Sequence, residues 1–353
     1  MLGPLLALIL LRQQDAPSND MSTWPVSRER GPDLQEEHFA NLKQLTFGGE
    51  NAECYVDTTG FRMSWQASVA GYPDEQIFTM NIDGTDKRLV STGKGRCTCS
   101  YYTPDDEKIY FSSTHLTAPG KQPAVDMSKG YVWAINPNYA MYKCNPDGSD
   151  IQPITNYPGA YVAETTIAPN GKFMVWTSDK DGDLDIYRSD LNGKHVKRLT
   201  NEVGYDGGPF VSWDSKYVVY RRDSFDNKAQ IDEYKALLKQ HLIRPSKLEI
   251  WVMDADGNHK RQVTHLGCAS FAPFMLPDDK RIIFSSNYGD PKGREFDLFL
   301  INVDGTGLER VTHTPEFDGF PMLTKDGKKI IFASNRFGSK PHETNIFVAD
   351  WKN

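Results

Sequence analysis

APNGKFMVWTSDKDGDLDIYRSDLNGKHVKRLTN, residues 168–201, holds one full cycle of the pattern that decides the fold. It runs from a turn at Asn170-Gly171 through the apolar run KFMVW to a loop, then through DIYRSD to a second turn at Asn192-Gly193, and ends on Leu199-Thr200. Asn-Gly and Asp-Gly are strong hairpin signals, because glycine takes positive φ without a Cβ clash. Short runs rich in β-branched and aromatic residues between such turns read as strands.

The cycle recurs. A hydrophobic residue followed by Thr or Ser stands at Leu45-Thr46, Val90-Ser91, Ile154-Thr155, Leu199-Thr200, Val263-Thr264 and Val311-Thr312, in steps of 45, 64, 45, 64 and 48. Six residues before each of the last five hydrophobic positions is a turn glycine: Gly84, Gly148, Gly193, Gly257 and Gly305. Upstream of these turns lie QIFTMN, AMYKCN, DIYRSD, EIWVMD and DLFLIN, with NIFVAD near the end of the chain. A further turn and strand precede each, as in PNGKFMVW, PDDKRIIF and KDGKKIIF. With an inner strand ahead of these, every repeat has four strands, and such units at this period read as propeller blades.

The fold class expected is therefore all-β, a six-bladed β-propeller of four-stranded antiparallel blades over residues 41–353. The last repeat stops after NIFVAD, while residues 39–46 read as a lone fourth strand. This N-terminal strand is predicted to close the last blade and remove its open edge. The two steps of 64 place insertions between the second and third strands of blade 2 (115–140) and blade 4 (223–247). In the second, KAQIDEYKALLKQHL predicts a helix with Ile231, Tyr234, Leu237, Leu238 and Leu242 on one stripe. In an up-and-down blade both insertions share one face with the six connections into the inner strands.

A chain of 353 residues would ordinarily make two domains, but the repeats make one ring. Lys plus Arg total 40 against 47 Asp plus Glu, a net charge of −7 with no phosphate-neutralising surplus, which argues against nucleic acid. LGPLLALILL at residues 2–11 is about half the ~20 residues a spanning helix needs, so no membrane span is expected in the mature chain. With the polar RQQDAPSND behind it, residues 1–20 read as a signal peptide or disordered tail and 21–40 as a linker. The expected location is extracytoplasmic, periplasmic or secreted.

The sequence of PDG-KK-I-F, a D-IY-type strand, DG and R-LT is clearest in residues 168–201 and in LTKDGKKIIFASNRFGSKPHETNIFVAD, residues 323–350. It resembles the WD-like propeller repeats of the TolB-like family over residues 41–353. The resemblance implies a six-bladed propeller with an exported binding or assembly role. TolB carries an α/β domain ahead of its propeller, for which residues 21–40 leave no room, so that domain is expected to be absent.

Aligned on the second-strand turns, Glu53, Cys99, Glu164, Gly208, Ala272 and Phe320 share one inner-strand position, and Asp206 and Asp318 stand two residues earlier in their own repeats. GYDGGPF and EFDGFPM put Asp206-Gly207 and Asp318-Gly319 in matching turns, and His265 and His313 follow the Val-Thr pairs of blades 4 and 5. Glu53, Glu164, Asp206, Asp318, His265 and His313 are thus expected to converge on the channel mouth. Such a set suits Ca²⁺, or with its imidazoles Zn²⁺ or Mn²⁺. The competing reading is that the acids cap turns by accepting backbone N–H bonds. No cofactor is assigned, a divalent cation at the mouth being the candidate. SDKDGDLD, residues 178–185, lacks the EF-hand Gly and Glu positions, and its Asp185 matches Asp297 of blade 5.

No serine-hydrolase G-x-S-x-G or zincin H-E-x-x-H motif is present, and no catalytic residue is assigned. Five cysteines leave at least one thiol free; in an oxidising compartment Cys54 to Cys97 or Cys99 is a candidate bridge, and the competing reading is buried apolar thiols, as for Cys144 and Cys268. Tyr131, Trp133 and Tyr139 either form a ligand-binding wall beside the blade 4 helix or pin their loop onto blade 3. The first reading is a non-enzymatic, exported, monomeric TolB-like propeller that binds a protein or glycan partner through the insertion face. The alternative is a metal-dependent hydrolase or lyase at the mouth of the channel.

Overall fold

The hydrophobic-Thr signature has a hydrogen-bonding cause. Backbone N–H groups of Ile77, Met141, Ile186, Ile250, Leu298 and Ile346, all on third strands, donate to the hydroxyls of Ser91, Thr155, Thr200, Thr264, Thr312 and Thr46 at 2.8–3.0 Å. In five blades the same hydroxyl donates onward to the polar side chain that opens the third strand: Gln76, Asp185, Glu249, Asp297 or Asn345. A hydroxyl is the smallest group that accepts and donates at once, so Thr or Ser fastens the end of each blade.

The turn glycines are fixed by neighbours as well as by φ. Gly148 and Gly193 have φ of 83° and 72°. A Cβ on them would stand 2.8 Å from the Val90 carbonyl oxygen and 2.7 Å from that of Ile154, on the outer strand of the preceding blade. Each glycine thus lets one blade lie against the last.

The computed structural model describes residue 21 and residues 23–352 other than 156 and 316. The leader reading of residues 1–20 lies outside the described residues. Six antiparallel blades surround a central channel, with inner strands Glu50–Val56, Cys97–Tyr102, Val162–Ile167, Asp206–Val211, Ser270–Met275 and Asp318–Leu323. The core lies between blades, where rings such as Trp65, Phe111, Trp176 and Phe284 are fully buried. Among the described residues no helix is long and apolar enough to cross a membrane.

Closure by the N-terminal strand is as expected. Phe39–Gln44 pairs antiparallel with Asn345–Trp351, matching Phe39 to Trp351 and Gln44 to Phe347, and Arg28–Glu29 adds a fifth strand outside it. The segment before the closing strand reaches further. The buried Lys87 ammonium donates to the carbonyls of Pro25 at 2.8 Å and Val26 at 3.0 Å. Glu36, also buried, takes Arg336 at 2.7 and 3.1 Å, and His38 meets Glu309 of blade 5 at 2.8 Å. One stretch therefore ties blades 5, 6 and 1.

One expectation is corrected, and one open alternative is decided. The helix of the blade 4 insertion spans Lys228–Leu238, capped by Asn227 and burying Tyr234 and Leu237, but Leu242 is not on its stripe. The chain turns through His241 at φ 56°, and Leu242–Ile243 forms a strand. The five cysteines are free. Cys54 packs in the core shared with blade 6, Cys97 in a separate cluster between blades 1 and 2, and Cys99 lies in the channel, so no bridge joins them.

Thr264→Val keeps the shape but strands the buried Ile250 N–H and takes one of three donors from Glu249, which keeps those of Leu266 and Gly267. It is expected to lower unfolding free energy by about 1–3 kcal/mol in urea titration. Deleting residues 39–46 should abolish the cooperative melt seen by circular dichroism; an unchanged melt would contradict closure by this strand.

Candidate functional site at the insertion face

The six residues aligned from sequence are a structural set. Glu53, Cys99, Glu164, Gly208, Ala272 and Phe320 all adopt left-handed backbone, with φ between 48° and 60°. Each sits where the inner strand slips register against its neighbour, a bulge that re-aims the side chain. All six line one void of about 30 Å³ in the channel, with Tyr55, Phe210 and Arg221.

Two of the predicted acids meet here with opposite electrostatics. Burial raises the Glu53 carboxyl and the nearby Glu164 charge adds to this, outweighing the hydrogen bonds from Cys99 and from Tyr55 at 3.1 Å. Burial is the largest influence on Glu164 as well, but the Arg221 guanidinium, the Tyr205 hydroxyl and Gly208 N–H at 2.8 Å together outweigh it and hold the carboxylate down. Arg221 has room because a Cβ on Gly208 would lie 2.0 Å from its Nη1.

The other predicted groups go elsewhere. Asp318 is fully buried and takes Arg336 and Thr314, each at 2.9 Å. Asp206 is likewise buried, 3.6 Å from Arg222 Nε, and burial pushes its carboxyl well up. His265 is exposed and His313 half-buried. No hydrogen bond or ion pair among the described residues joins either to these acids. The acids of SDKDGDLD also disperse: Asp179 accepts from Tyr161 N, Asp181 from Tyr187, Asp183 from Tyr234, and Asp185 from Arg198 and Thr200. Among the described residues no group of three or more His, Cys, Asp or Glu is placed to hold a metal.

The two insertions meet over the channel. Trp133–Ala134 of blade 2 pairs antiparallel with Leu242–Ile243 of blade 4. Arg244 fastens the pair, meeting Glu233 on the helix at 3.0 Å and donating to the Lys129 carbonyl at 2.9 Å. Trp133 stands edge-on to Phe271 of blade 5 at 5.9 Å and over Arg221 at 5.6 Å, while Tyr139 packs edge-on against Tyr161 of blade 3 at 5.9 Å. Trp133 and Tyr139 therefore anchor a cap, whereas Tyr131 is 62% exposed and lines open space.

That space is a cleft of about 870 Å³ beside the cap, over blades 1, 5 and 6. Glu50, Gln66, Glu75, Arg294, Phe317, Phe320 and His342 line it with Tyr131. A smaller cavity of about 260 Å³ shares Gln66 and Glu75 with it and runs beneath the blade 2 insertion. Sequence reasoning missed Gln66, Arg96, Arg221 and Arg294. Arg221 alone carried a signal, as a charge at the inward end of the apolar strand YVVY.

No family model matches the chain. An uncharacterized protein of Agrobacterium fabrum is 29% identical over 123 residues, 35% of each chain, so the match spans about a third of that relative's length. Among solved structures, a TolB from Agrobacterium tumefaciens superposes with a TM-score of 0.58 at 16% identity, covering 86% of this chain and 91% of that one. TolB from Acinetobacter baumannii gives 0.56 at 17% identity, covering 87% and 65%. An oligogalacturonate lyase in complex with manganese gives 0.52 at 13% identity, covering 93% and 98%. The TolB-like propeller fold expected from the repeats is thus borne out, and at these identities the likeness is one of fold.

Because the Glu53 carboxyl is raised in the folded protein, its ionised form costs stability as pH climbs above the ordinary glutamate range. Glu53→Gln is expected to melt above wild type at pH 8 and alongside it at pH 4. Glu164→Gln should instead cost about 3–5 kcal/mol by leaving Arg221 buried without its counter-charge. Equal pH profiles for Glu53→Gln and wild type would refute the assignment.

Proposed function

We propose that this chain is an exported, monomeric, non-catalytic propeller that binds a protein or glycan partner through the insertion face. The observation that carries the reading is the joined cap. Two loops from blades two apart are fixed to one another, and the recess left beside them is the 870 Å³ cleft with an exposed tyrosine at its rim. Large concave recesses with aromatic walls and a few polar groups are where ligands seat. The extracytoplasmic location rests on the sequence reading of residues 1–20 and on the TolB-like fold.

A second reading, metal-dependent hydrolysis or elimination at the channel mouth, has in its favour the likeness to a manganese-bound lyase and the opposed carboxyls Glu53 and Glu164. The donor set does not fit a metal. Glu164 is taken by Arg221, and neither His265 nor His313 joins it. We therefore place binding first.

A photo-crosslinking side chain at Tyr131, and a control at Tyr217, which opens the second strand of blade 4 at the end away from the insertion, separates the faces. In extract of the native source a specific protein or glycan adduct is expected at 131 and absent at 217. Adducts at 217 alone, or equally at both, would contradict the reading. Stoichiometric manganese or calcium in chelator-free protein would favour the second.

A further inference from the structure

The smaller cavity presents hydrogen-bond donors that nothing in the protein uses. Arg96 and Glu75 meet side-on, guanidinium Nε and Nη2 donating to the two carboxylate oxygens, the Nη2 bond at 2.8 Å. Nη1 and the second Nη2 proton, the end-on fork, have no partner among the described residues. Gln66 is oriented by its neighbours: Oε1 accepts from Thr98 Oγ1 at 2.9 Å and Cys99 N at 3.0 Å, which leaves its NH₂ free. The Tyr139 ring is held against Tyr161, and its hydroxyl bonds to no described residue.

Arg96, Gln66 and Tyr139 line the same cavity of about 260 Å³, roofed by Val132 and Trp133 of the cap. Its acceptors are already engaged. Both Glu75 oxygens face Arg96, and Asn136 Oδ1 accepts from Asn138 N at 3.0 Å. A site with spare donors and used acceptors selects an oxyanion, and the end-on guanidinium fork matches the two oxygens of a carboxylate. A cavity of roughly 150 Å³ suffices for benzene, so a carboxylate with a short chain or one sugar ring has room.

We propose that this cavity is a carboxylate-binding subsite that seats the acidic end group of a ligand lying in the cleft. It rests on the cleft reading only for where the remainder of the ligand lies. A peptide C-terminus and a sugar acid share this chemistry.

Isothermal titration of the full chain with N-acetylalanine, its amide, glucuronate and glucose tests it. The acids are expected to bind at least about tenfold more tightly than the neutral compounds, and whichever acid binds better identifies the source. Arg96→Lys keeps a charge for Glu75 but loses the fork, and should weaken the acids about tenfold. Tyr139→Phe should weaken them about threefold with an unchanged melt, and serves alone if Arg96→Lys does not fold. Acid binding without cleft adducts at 131 would sink the partner reading alone. No acid binding, equal binding of acid and neutral compound, or indifference to Tyr139→Phe would overturn the subsite.

Discussion

The ring is shut by a contact between the early and late segments of the chain, which completes the last blade. Here that contact is Phe39–Gln44 on Asn345–Trp351, a pairing between residues some three hundred positions apart. Every interblade surface depends on it, because each blade buries its faces only against its neighbours. The segment ahead of the strand reinforces the seam on both sides, through Lys87 in blade 1 and through Glu36 and Arg336 between blades 5 and 6. Buried charge accompanies strand pairing at this seam.

A closed ring then fixes what the insertions can do. Both leave from the same edge of their blades and meet over the channel. Pairing Leu242–Ile243 with Trp133–Ala134 lets Trp133 reach Phe271 and shuts the axis above Arg221 and Glu164. The cap costs access to the channel acids and creates the cleft and the cavity beneath it. The face of this pseudo-symmetric ring is thereby asymmetric, capped on one side and open as the cleft on the other.

Much of this was legible in sequence because repeats constrain each other. The hydrophobic-Thr pairs proved to fasten strands within each blade, the turn glycines to let neighbouring blades meet, and the lone strand at residues 39–46 to complete the last blade, while the six bulge residues from Glu53 to Phe320 were alignable before their φ values were known. What stayed hidden was contact between non-equivalent parts. Two-residue strands in long loops leave no periodicity, so the joining of the insertions had no signature. Asp206 and Asp318 were placed on the channel mouth by position alone, whereas their side chains turn between blades toward Arg222 and Arg336. Gln66 and Arg96 read as ordinary polar strand residues, since their roles depend on Thr98, Cys99 and Glu75 across a blade boundary.

The central claim is that the two insertions form one fixed cap, beside which the proposed binding cleft stays open. Directly opposed strand residues bring their Cβ atoms about 4.5–5.5 Å apart, so Ala134→Cys with Leu242→Cys, paired in the cap, tests it by disulfide trapping. The account predicts near-complete cross-linking under mild oxidation, a melt no lower than that of the reduced protein, and undiminished binding through the cleft. Failure to cross-link, or cross-linking that abolishes binding, would contradict it.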